Sequence, residues 1–100
     1  MKIQLIIDIW NEEHGNRRRA ERSVELPAVP RVGEIIDVAR MLALEVTTVR
    51  WQPPDQRPLV FLGRAEGTAS NVTDEDAPIL TMPETYVDQL READWQLSDW

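Results

Sequence analysis

Leu26-Pro27-Ala28-Val29-Pro30-Arg31-Val32-Gly33-Glu34-Ile35-Ile36-Asp37-Val38 decides how this chain is read. Pro27 and Pro30 each lack a backbone donor and hold φ near one value, and they push Leu26 and Val29 towards extended backbone. Neither a helix nor a central strand tolerates that spacing. Pro27 to Arg31 is therefore an extended or turning connection. Gly33 permits positive φ or a close backbone approach, and after it the chain becomes β-branched and apolar again. A strand that ends at Leu26, a corner, and a new strand from Glu34 to Ala39 are the parts of a small barrel in which short strands pass from one sheet to the next. The corner is first a structural device. Pro30, Arg31 and Gly33 would also make a binding lip, because loops on a rigid scaffold carry much of protein function.

Outward from the corner, the pattern stays β. Residues 2–10 alternate, with Ile3, Leu5, Ile7 and Ile9 on one face and Lys2, Gln4, Asp8 and Trp10 on the other; Ile6 breaks the rule. Asn11 to Arg19 reads as a polar loop with Gly15-Asn16 as its turn. Ala20, Val24 and Leu26 then share a face with Arg22, which places Arg22 near a sheet edge. Downstream, Leu44, Val46 and Thr48 alternate, but Val49 and Trp51 follow the opposite phase, the mark of a β-bulge. Arg40 and Met41 make a tight connection, and Gln52 to Asp55 a turn. Leu59 to Ala65 is a further strand, and Gly67 to Ala77 the most loop-like segment, with room for a brief strand at Val72. Pro78 to Met82 suits an edge strand. Pro83 to Ala93 is the one helix, with Val87, Leu90 and Ala93, or Tyr86, Leu90 and Ala93, as its apolar stripe. The tail Trp95 to Trp100 alternates and returns to the barrel. The expectation is a mainly β domain spanning residues 1–100, an SH3-like, partly open β-barrel of five or six strands with one C-terminal helix.

The corner and the later stretch Val46-Thr47-Thr48-Val49-Arg50-Trp51 together resemble a pattern in small uncharacterised bacterial proteins. That pattern joins a Pro-x-x-Pro-x-Val-Gly-acidic corner to a Val-x-x-Val-x-Trp strand, and it also looks like the opening strands of SH3-like barrels. The resemblance covers about a quarter of the chain. It implies a fold and carries no catalytic residue.

Composition bounds the function. The 100 residues suffice for one modest core. With no cysteine, disulfides, thiolate metal sites and cysteine nucleophiles are excluded. The apolar run at Ile3 to Ile7 is shorter than a signal-peptide core, and no stretch reaches the roughly 20 apolar residues of a membrane span, so a cytoplasmic protein is expected. The net charge of −7 is unevenly placed. Residues 1–70 balance, whereas Asp74, Glu75, Asp76, Glu84, Asp88, Glu92, Asp94 and Asp99 face Arg91 alone in the last third. Such a segment repels nucleic-acid backbones and anionic membranes and attracts basic partners.

Few residues carry recognisable chemistry. His14 is the single histidine and has neither a serine motif nor a second ligand beside it. Asp74, Glu75 and Asp76 lack the spacing of a calcium loop. Asn71-Val72-Thr73 matches a glycosylation acceptor, which matters only in a secreted chain. No catalytic residue, metal site or cofactor is predicted. Arg17, Arg18, Arg19 and Arg22 form a basic hairpin near Trp10, suited to a phosphate or to an acidic protein surface, this protein's own acidic third included. Of the four tryptophans, Trp51 and Trp95 are expected in the core, and Trp10 or Trp100 at an interface. The leading expectation is a non-enzymatic protein-binding module, possible as a homodimer, that uses Trp10, Arg17, Arg18, Arg19, Arg22, Arg31, Asp88, Glu92 and Trp100. Two alternatives are an acidic inhibitor or immunity-type protein that blocks a basic site, and a nucleic-acid-binding barrel that uses the Arg17–Arg22 hairpin. An enzyme with an unfamiliar carboxylate site is a more distant alternative.

Overall fold

The structure is a computed structural model and describes residues 1–11, 16–39, 42–52, 57–64, 73–75, 79–82 and 84–99. His14, the Arg40-Met41 connection, the turn at 53–55, Val72, Asp76 and Trp100 lie outside the described residues. The elements are β1 (Lys2–Asn11), β2 (Asn16–Glu25), β3 (Ile35–Ala39), β4 (Leu42–Gln52), β5 (Arg57–Arg64), β6 (Thr73–Glu75), β7 (Ile79–Thr81), α1 (Glu84–Glu92) and β8 (Gln96–Asp99). Six strands run in the order β3-β4-β5-β1-β2-β8 and curl into a half-barrel, while β7 pairs with the end of β1 and β6 pairs with β7. The fold is thus mainly β with one helix, and two short strands extend the expected five or six.

Alternation puts Ile3, Leu5, Ile7 and Ile9 on the concave face, where each is buried against Leu44, Val46, Val60 and Leu62. Val87 and Leu90 of α1 join the same core, so the helix lies over the hollow of the sheet. Glu84 in the first turn and Arg91 in the last suit the helix dipole. The α1 C-terminus closes in a Schellman motif: the Trp95 N–H donates to the Leu90 carbonyl at 3.0 Å, the Asp94 N–H to that of Arg91 at 3.2 Å, and Asp94 has φ 67°. This reversal sends Trp95 into the core, 4% exposed.

The bulge in β4 is present. Its register against β5 shifts between Val46 and Thr48, so Leu44 and Val46 before it and Val49 and Trp51 after it take the same face. Thr47 fills the extra position. Its hydroxyl donates to the Phe61 carbonyl at 3.2 Å, and its methyl lies over Gly63, where a Cβ would stand 2.6 Å from Thr47 Cγ2. Gly63 leaves room for the bulge.

The brief strand allowed within the loop-like segment after Gly67 is β6, at Thr73–Glu75, paired with β7. Two expectations change. Arg17 to Arg19 belong to β2, paired with Trp10, Ile9 and Asp8 of β1, because the hairpin ladder continues to Asn11↔Asn16. Trp51 is not core: 58% of it is exposed, at the end of β4 opposite Pro58.

Candidate functional site

The half-barrel leaves two strand edges without a neighbouring strand along part of their length. β8 pairs with Arg18 to Glu21 of β2 and stops there. Met1 and Leu26 exchange main-chain hydrogen bonds at 2.9 and 3.0 Å, so the even-numbered residues of β2 turn their main chain towards β1. Antiparallel strands alternate in this respect. The N–H and C=O groups of Ser23 and Glu25 therefore face away from the sheet. At the other end, Val46 donates to the Glu34 carbonyl and accepts from the Gly33 N–H, both at 2.9 Å. Glu34 and Ile36 thus face β4, and Ile35 and Asp37 present their main chain outward. Among the described residues no strand covers either stretch.

The corner spans the gap between these edges. The Glu34 N–H donates to the Arg31 carbonyl at 3.1 Å, and Gly33 has φ 96°, the arrangement of a type II turn. Of the two roles open to Gly33, positive φ and a close backbone approach, the structure has the first. A pocket of about 630 Å³ opens between the edges, within the usual size range of ligand pockets, roughly 300–1,000 Å³. Arg22, Val24 and Leu26 form one wall and Ile36 and Val38 the other. Pro27 to Arg31 closes one end and Trp95 forms part of the floor. The indole Nε1–H of Trp95 donates to the Val38 carbonyl at 2.8 Å and ties the β8 side of the seam to β3.

Arg22 stands out on this lining. It sits opposite Leu5 on the concave, apolar side of β2, at the first position past the end of β8. The near-edge position expected from its phase is the observed one. Arg22 is half-buried, and among the described residues it makes no ion pair and no side-chain hydrogen bond.

The other expected site residues are dispersed. Arg19 Nε donates to Asp8 at 2.8 Å, and Asp8 is only 6% exposed. Arg18 lies 3.9 Å from Glu84 of the helix, and Arg91 contacts both Glu84 at 3.6 Å and Asp88 at 3.0 Å. Two arginines of the hairpin are therefore drawn into pairing with acids of this chain. Arg17 is exposed opposite a half-buried Trp10. Asp88 and Glu92 are exposed on α1, and Asp94 is exposed at its end. Arg31 is exposed at the lip of the pocket. Of the expected residues, the structure brings Arg22 and Arg31 to one cavity, together with Pro30; Gly33 shapes the turn without lining it. Val24, Ile36, Val38 and Trp95 escaped sequence reasoning because nothing in their spacing links them. Arg22 on the apolar phase of a strand was the available signal.

Among the described residues, no cluster of acids and histidine has the arrangement of a metal site. Nor, among these residues, is any helix long and apolar enough to cross a membrane. Comparison of the chain with protein-family models, with curated proteins and with solved structures finds no match.

Proposed function

We propose that this protein is a small, non-enzymatic, cytoplasmic protein-binding module that takes an extended segment of a partner into the seam between β3 and the lower half of β2. The observation that carries the reading is the apolar pocket between two uncovered strand edges. Edge main-chain groups supply hydrogen bonds to an added strand, and a pocket beneath supplies selectivity for its side chains, the physics of strand addition. An uncovered edge also templates unwanted pairing; here the Pro27–Arg31 corner and the Trp95 indole line the pocket beside it. Panning a random peptide library on the intact chain tests the reading. Extended apolar peptides should be enriched, and Ala28→Trp, at an exposed corner position lining the pocket, should abolish their binding. Peptides that bind Ala28→Trp equally well would place recognition elsewhere.

A second reading, an acidic inhibitor of a basic site, is favoured by Asp88, Glu92 and Asp94, which are exposed together on the helix and its cap. It requires that charge reversal at these three positions, or added salt, weaken partner binding steeply. A nucleic-acid role for the hairpin has less support, because Arg18 and Arg19 are engaged with Glu84 and Asp8.

A further inference from the structure

We infer that Arg22 selects an acidic side chain in the segment bound at the seam, so that the recognised sequence pairs a carboxylate with an apolar residue. This rests on the strand-addition reading above.

The guanidinium is a fixed charge with five donors. Withdrawing it from water over apolar surface is costly unless an acceptor meets it. In this chain Arg22 is half-buried among Leu5, Val24, Leu26 and Trp95. Glu34 and Asp37 line the same pocket on its opposite side, and both are exposed. On its other flank Arg22 borders a polar depression with Gln4, Glu21, Ser23, Asp94 and Gln96. It pairs with none of these acids. Its neighbours in β2 behave differently: Arg18 and Arg19 each have a carboxylate within 4 Å.

Ser23, next to Arg22, turns its main chain to the uncovered edge, so a strand added there runs directly past the guanidinium. A carboxylate on that strand would accept charge-assisted hydrogen bonds in partly desolvated surroundings, where they are strongest. An apolar neighbour on the same peptide would fill the space between Val24 and Ile36. Arg31 at the lip adds positive charge on the approach.

The intact chain and its Arg22→Gln variant are panned in parallel against a random peptide library displayed through the peptide C-terminus, so that every acid recovered is a side chain. The folded state of the variant is checked by the Trp95 indole N–H resonance. The wild-type protein should enrich peptides with Asp or Glu next to an apolar residue. Replacing that acid by its amide should weaken binding to the wild type about tenfold, with little effect on binding to Arg22→Gln. Arg22→Lys should keep part of the preference. Enriched peptides without an acid, or an acidic preference that survives in Arg22→Gln, overturn the inference. If those acid-free peptides still lose binding to Ala28→Trp, the seam remains the site and only the selectivity fails. Recovery of no peptide by the wild type overturns both.

Discussion

The indole Nε1–H of Trp95 donates to the carbonyl oxygen of Val38 across 2.8 Å, though 57 residues of chain separate the two. This bond joins the two ends of an open sheet. Val38 sits in the edge strand β3, and Trp95 immediately precedes the opposite edge strand β8. A single side-chain bond thus ties the β8 end of the half-barrel to its β3 end.

Trp95→Phe tests that role. It keeps most of the apolar volume and leaves the buried side of the Val38 carbonyl without its donor. We expect a loss of about 1–3 kcal/mol, read as a lower urea midpoint. A midpoint equal to that of the wild type would show that the tie contributes nothing.

Asp94 holds φ 67° at the end of α1, in a position that glycine occupies without a Cβ penalty. Asp94→Gly should stabilise the chain by about 0.5–1 kcal/mol, the left-handed cost relieved less the extra entropy of an unfolded glycine. A destabilised variant would mean that the Asp94 side chain contributes to the cap.

Gly63 and Thr47 form a coupled pair across the β4 bulge. Gly63→Ala sets a methyl 2.6 Å from Thr47 Cγ2 and should cost about 1–3 kcal/mol. Thr47→Ser removes that methyl and keeps the hydroxyl that bonds to the Phe61 carbonyl. In a double-mutant cycle the second substitution should recover much of the loss. Strict additivity would show that the clash is absorbed elsewhere.

Asp8 is buried on the convex face by its pairing with Arg19. Asp8→Ala strands a guanidinium that is itself 32% exposed, so the expected loss is about 2 kcal/mol rather than the larger cost of a fully buried pair. Thermal melts at two salt concentrations check this. The difference between variant and wild type should change little with salt, since the pair is largely shielded; a difference that vanishes at high salt would make it an ordinary surface pair.

Much of this architecture was legible in the chain. Alternation from Ile3 to Ile9 identified β1 and its buried face, and the Pro27–Pro30–Gly33 spacing located the corner. The phase break between Val46 and Val49 announced the bulge, since a side chain's face is a matter of local parity. Arg22 gave itself away in the same manner, as a charge on an apolar phase. Trp51 misled because parity reports which way a side chain points and not how much of it the neighbouring elements cover. The arginines at 17–19 misled because hairpin length follows from pairing with β1, and composition alone reads such a run as loop.

The sequence by itself determined most of the strands, the corner, the late helix and the separation of acidic charge, all of which follow from local backbone preference and residue order. Tertiary structure alone decided that Arg18 and Arg19 meet Glu84 and Asp8 while Arg22 meets no acid among the described residues, that β8 stops one residue short of Arg22, and that Val24, Ile36, Val38 and Trp95 line one pocket. Those facts depend on which strands become neighbours. Strand order is set by burial of the whole apolar surface at once, and no single stretch of the chain encodes it.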